Sequence, residues 1–188
     1  TATVDIGPGT LTNIFGHRDY EAGTGADIDA LPSFIFHSDT DTAQSQISNE
    51  VRYAVSMDKF DLTAGGFFFD QSLAYTEIRD LPPFSSSPFY GGGTQKHEVL
   101  GLFASSQIHL SDDLSVIAGL RWSRERKAVN ITYIRPRPEC SVVESTCPVL
   151  GTNPFATGEN YGFSDAESWS NLSPKLGLQY KIGEAQFY

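Results

Sequence analysis

Long apolar runs are missing from this chain. None of its 188 residues falls in a stretch approaching about eighteen consecutive apolar positions, so a transmembrane helix is excluded. A transmembrane β-barrel survives that test, because its strands are apolar only at every second position. Positive charge is also scarce: 13 Lys and Arg stand against 23 Asp and Glu, for a formal net charge of −10. Outside the short "RWSRERK" run no basic cluster is dense enough to track phosphates, which argues against a nucleic-acid partner. The opening "TATVDIGPG" has neither the basic nor the apolar segment of a signal peptide, so the chain is expected to be processed or an internal piece of something larger.

Cysteine is nearly absent. The 2 that occur, Cys140 and Cys147, lie in "RPECSVVESTCPVL" with no further Cys or His at metal-site spacing. They are read as a disulfide in an exposed loop, with a loop-closure contribution on the order of 2.5 kcal/mol, which places the loop in an oxidising compartment.

What the chain does have is aromatic residues, 12% of the total, and alternation. In "AQSQISNEVRYAV" Ile47, Val51, Tyr53 and Val55 share one face, and Gln46, Ser48, Glu50 and Arg52 the other. This strand, Gln44 to Val55, is followed by the tight turn "SMDK" and a second strand from Phe60 to Gln71. A long segment rich in Pro, Ser and Gly comes next, "EIRDLPPFSSSPFYGGGTQKH". The cycle then repeats, with strands at Glu98 to Leu110 and Leu114 to Val129 around the turn "SDD" and a long excursion from about Asn130 to Glu167. A last strand, "SWSNLSPKLGLQYK", leads through "IGE" into "AQFY". At the start, "TATVDI", the turn "GPG" and "TLTNIFGHRDY" precede a long loop from about Glu21 to Thr42.

Short turns alternating with long loops describe an antiparallel up-and-down sheet with one tidy end, as in outer-membrane barrels. Roughly ten tilted residues cross an apolar band about 25 Å tall, and these strands reach that length, where soluble ones average five or six. Leu114, Val116, Ala118, Leu120 and Trp122 are assigned to lipid, and Ser115, Ile117, Gly119, Arg121 and Ser123 to the lumen. Likewise Leu172, Pro174, Leu176, Leu178 and Tyr180 face lipid, while Asn171, Ser173, Lys175, Gly177, Gln179 and Lys181 face inward. A charge facing hydrocarbon would cost about 2–4 kcal/mol near the midplane. Trp122 and Tyr180 suit the two membrane interfaces, and Pro174 predicts a bulge or local defect.

In their order, "TLTNIFGHRDY", "QISNEVRYA", "LTAGGFFFDQ", "FASSQIHLSDDLSVIAGLRWSRERK" and "SWSNLSPKLGLQYK" resemble successive barrel strands of TonB-dependent outer-membrane receptors. The likeness spans essentially the whole chain and is most specific in "HLSDDLSVIAGLRWSRERK" and "SPKLGLQY". It implies an all-β, antiparallel up-and-down transmembrane β-barrel of the plugged 22-stranded type, of which residues 1–188 would form about eight strands. The plug domain and the remaining strands are expected to lie outside these residues, and "QFY" to be a strand cut partway. By the same resemblance, the cell outer membrane of a Gram-negative bacterium is the location. Energy-dependent import of a ferric siderophore, cobalamin or an oligosaccharide is the activity, powered by the TonB complex of the inner membrane through the plug. The alternative is an outer-membrane barrel with a structural or assembly role and no transport. A soluble β-sandwich is a weaker third reading.

No catalytic constellation or cofactor motif is found. His17, His37, His97 and His109 are scattered without metal-site spacing, and "GGGTQK" lacks the spacing of a phosphate loop. Asp27, Asp29, Asp39 and Asp41 are taken as a solvated acidic loop in preference to a calcium site. The formal sequons at Asn130 and Asn171 carry no weight in a bacterial barrel. Ligand contacts are expected from Phe84, Phe89 and Tyr90 in a flexible aromatic loop and from Arg121. Arg121, Arg124 and Arg126 are alternatively partners of plug carboxylates, of Glu125, or of lipopolysaccharide phosphates at the rim.

Overall fold

A computed structural model describes residues 1–144, 146–147, 162–182 and 185–187. Its strands are β1 (Ala2–Ile6), β2 (Gly9–Asp27), β3 (His37–Met57), β4 (Phe60–Asp80), β5 (Phe89–His109), β6 (Leu114–Pro136), β7 (Gly162–Ile182) and β8 (Ala185–Phe187). They form one 8-stranded sheet in strict chain order, each strand antiparallel to the next. The tidy end is as predicted: Ile6 pairs with Gly9 and Met57 with Phe60, so two residues suffice for each turn.

Register sorts the side chains onto two faces. One cross-strand row runs Val51, Gly66, Leu102, Trp122, Leu172; its neighbour on the other face runs Arg52, Gly65, Phe103, Arg121, Ser173. Along β5, Lys96, Glu98, Leu100 and Leu102 are exposed, whereas Gln95, His97, Val99 and Phe103 are half-buried. The sheet therefore curls toward the second set, which forms the inner wall. The first set is the outer surface, where Leu176 is 82% exposed and Leu178 63%. Large aliphatic side chains so exposed in a continuous band match hydrocarbon as the surrounding medium.

The inner wall is held by polar ladders. His109 on β5 places Nε2 3.0 Å from Asp61 Oδ2 on β4 and Nδ1 3.0 Å from Ser115 Oγ on β6. Gln107 donates from Nε2 to Gln179 Oε1 at 2.8 Å, and Ser115 and Gln179 are both buried.

Three sequence expectations are corrected. The long loops are partly strand: β2 runs on to Asp27, β3 starts at His37, β4 ends only at Asp80, β5 starts at Phe89, β6 reaches Pro136 and β7 starts at Gly162. At 21 residues, β3 and β4 are roughly 70 Å long, far more than a tilted strand needs to cross the apolar band, so the wall continues above it. There both faces meet water and the hydrophobic alternation weakens, although backbone pairing does not. Asp39 and Asp41 lie on β3, outside any loop. Pro174 causes no defect, since Leu120↔Pro174 sits in an unbroken register. Lys181 N donates to Asp113 O, so by alternation the odd residues of β7 bond toward β6 and the Pro174 nitrogen faces the other edge. No described strand lies on that edge at this height, because β8 pairs only with Tyr180 to Ile182.

Candidate functional site

Above the apolar band the inner wall carries a recess of about 390 Å³, lined by Leu73, Tyr75, Gly93, Gln95, Val129, Ile131, Tyr133 and Ile134 with neighbouring backbone. Leu73 and Tyr75 alternate along β4 with Ser72, Ala74 and Thr76, as Val129 and Ile131 do along β6 with Asn130 and Thr132. The recess is deepened by an irregularity. Between the pairs Gly92↔Thr132 and Tyr90↔Arg135, β6 has one residue more than β5, so Tyr133 and Ile134 stand against Gly91 alone. A Cβ on Gly91 would lie 2.6 Å from the Ile134 nitrogen, and Gly92 has φ of 142°, so side chains are unwelcome at both. This is the physical use of "GGG".

One rim of the recess is charged. Glu77 is buried and accepts hydrogen bonds from Tyr75 Oη at 2.8 Å, from Ser38 Oγ at 3.2 Å and from Arg79 Nε. Burial pushes the Glu77 carboxyl up, but these donors and the Arg79 charge outweigh it and hold it below the ordinary range. The Tyr75 phenol is raised, first by burial and then by its bond to Glu77. Lower on the same wall, Glu125 Oε1 lies 2.8 Å from His97 Nε2 and 2.9 Å from Lys127 Nζ, with His97 edge-on to the Phe69 ring at 5.3 Å.

The four residues expected to touch ligand are not brought together. Phe84 is 79% exposed at the tip of the loop between β4 and β5. Phe89 and Tyr90 belong to β5 instead of that loop, pairing with Arg79 and Ile78, and they point to opposite faces. Arg121 is on the inner wall but level with Phe103, roughly 45 Å down the strand from Phe89. Its Nε donates to Ser123 Oγ at 3.0 Å. Tyr75 and Tyr133, absent from the sequence expectation, were legible only to a reader who continued the β4 and β6 alternation past Gln71 and Val129.

The acidic group has a local explanation. Asp29 accepts the Leu31 and Phe36 amides at 3.0 and 2.6 Å, and Asp27 accepts that of Ala30 at 3.2 Å, so these carboxylates close the turn between β2 and β3. No group of metal-ligating side chains occurs among the described residues. The cysteines do bond to each other, with Cα atoms 4.9 Å apart across the loop that follows β6.

A single antiparallel sheet with an aliphatic outer band, a polar inner wall and tall strands on one side defines part of an outer-membrane-type β-barrel. The chain belongs to the TonB dependent receptor-like β-barrel family, whose model matches residues 4–187. Among solved structures it is similar to the ferric yersiniabactin uptake receptor FyuA from Yersinia pestis, with a TM-score of 0.70 at 13% identity. The match covers 97% of this chain and 25% of that one, so the chain spans about a quarter of that receptor. No curated protein aligns with it. The family and the solved neighbour are receptors and not enzymes.

Proposed function

We propose that this chain forms part of the wall of an outer-membrane receptor that imports a scarce ligand, such as a ferric siderophore, at the expense of energy delivered by the inner-membrane TonB complex through a plug. The observation that carries the reading is the family match over residues 4–187 together with a recess of aromatic and aliphatic side chains on the inner wall above the apolar band. Tyr75 and Tyr133 there offer ring faces for stacking, and Arg135, over the Tyr133 ring, supplies positive charge beside them for an anionic chelate. Phe84, at the loop tip, makes first contact, with Phe89 and Tyr90 below it. Arg121, much deeper, faces the space a plug would occupy.

The test is uptake by cells carrying or lacking the complete receptor, with radiolabelled ferric siderophores of several chemical types and with a protonophore. At least one should enter only with the receptor present and the membrane energised, and Tyr75→Ala with Tyr133→Ala should weaken its binding about tenfold. Receptor-independent accumulation of every ligand would instead favour a barrel with a structural or assembly role.

A further inference from the structure

We propose that Glu77 decides which part of a ligand enters the recess beside Tyr75: an uncharged aromatic or apolar ring, with the anionic part of the molecule held on the far side near Arg135. The inference rests on the ligand-binding role proposed above for the recess and deepens it, because it names the class of ligand. Chelates that carry an uncharged ring as an arm fit, and chelates whose rings are themselves the anionic iron ligands are disfavoured there.

Hydrogen bonding is the first argument. Tyr75, Glu77 and Arg79 follow one another at every second position of β4, so all three project from the same face. The Tyr75 hydroxyl has a single proton, and it is donated to Glu77 Oε2 at 2.8 Å. A ligand that reaches the phenol oxygen therefore finds no donor, only lone pairs backed by a carboxylate, and the ring face remains as the useful contact. Glu77 needs nothing from a ligand, since its Oε1 already accepts from Ser38 Oγ at 3.2 Å and from Arg79 Nε.

Charge is the second. Around Tyr75 the lining is aliphatic, with Leu73 on the same strand and Val129 and Ile131 on β6, and such walls do little to screen a carboxylate. Arg79 offsets Glu77 only in part, because its side chain is 39% exposed against 10% for Glu77 and water screens it more. The opposite side is the reverse. Glu77 pairs with Gly91 on β5, and Tyr133 stands against that same Gly91 from β6, so two strand spacings, roughly 10 Å, separate the acid from Tyr133. There the Arg135 guanidinium lies 5.8 Å from the Tyr133 ring centroid. An acid on one side and a cation on the other orient a ligand whose negative charge is confined to one end.

The experiment measures equilibrium binding of benzamide and benzoate, which share a ring and a shape but differ in charge at neutral pH, to the complete receptor by saturation-transfer NMR. Only binding abolished by Tyr75→Ala is counted, which restricts the signal to probes beside that ring. Benzamide should bind about tenfold tighter than benzoate. Glu77→Gln should raise benzoate affinity about tenfold and change that of benzamide by less than about threefold. Arg79→Gln, at a partly exposed position that folding tolerates, should weaken benzoate about threefold and leave benzamide unchanged. A merely structural role for Glu77 would move both probes alike. Equal affinity of the two probes in the wild type, parallel shifts in the variants, or no Tyr75-dependent binding of benzamide would overturn the proposal. Because nothing is transported in this assay, siderophore uptake without probe discrimination would defeat this inference alone, and discrimination by a receptor that imports nothing would defeat the transport reading alone.

Discussion

Phe103 lies across Gly65, its directly paired residue on the neighbouring strand: a Cβ added to Gly65 would come within 2.7 Å of the Phe103 ring and 2.5 Å of the Val51 carbonyl oxygen. The glycine leaves room for the ring, and the ring covers backbone that the glycine would otherwise expose to the lumen.

That relationship makes Gly65 intolerant of a side chain. Gly65→Val should destabilise the complete barrel by about 1–3 kcal/mol, because the carbonyl belongs to the sheet ladder and cannot retreat. A urea titration of folding into lipid vesicles would show it as a lowered midpoint. An unchanged midpoint would mean that Phe103 moves aside freely.

The two faces of β7 predict opposite outcomes for one substitution type. Leu176→Arg, on the outer face, should cost about 2–4 kcal/mol of folding free energy in lipid, and Ser173→Arg, on the inner face, less than about 1 kcal/mol. Equal penalties in the same vesicle assay would contradict the assignment of faces.

Glu77 makes the upper wall sensitive to acid. Its carboxyl is held lower in the folded barrel than in the unfolded chain. The stability it contributes is therefore complete above about pH 4.3 and is lost as pH falls through the depressed folded value. Hydrogen exchange of the Tyr75 to Arg79 amides, corrected for intrinsic rates, should accelerate only in that acidic window. In Glu77→Gln the corrected profile should be flat; the same acid step in the variant would assign the effect elsewhere.

The disulfide is expected to act locally. Cys140→Ser/Cys147→Ser should speed cleavage after the exposed Glu144 by a glutamate-specific protease, because the bridge closes the loop that carries it. The barrel's unfolding midpoint should stay within error, since both cysteines lie in the loop after β6 and pair with no strand, so the closure entropy orders that loop and not the sheet. A large drop in the midpoint would show that the loop braces the wall.

Much of the fold was legible from alternation in the strand halves that cross the apolar band. Leu114 to Trp122 and Leu172 to Tyr180 must present hydrocarbon on one side and polar groups on the other, which writes a period of two into the residues themselves. The candidate recess was not legible in the same way. "TEIRD" and "GGGTQKH" look like loop because both of their faces meet water, yet they are the upper parts of β4 and β5.

Composition and alternation alone thus determined the class of wall, the direction of each face, the tidy end and the cysteine pairing, because each depends on neighbours in the chain or on the solvent at each side. Only the tertiary structure decided how far the strands rise, that Pro174 fits without a bulge, that Tyr75 and Tyr133 line one recess, and that Arg121 stands far below it. Those depend on which residue faces which across the ladder, and a backbone that satisfies its hydrogen bonds sideways leaves only a weak periodic trace in the side chains once water lies on both faces.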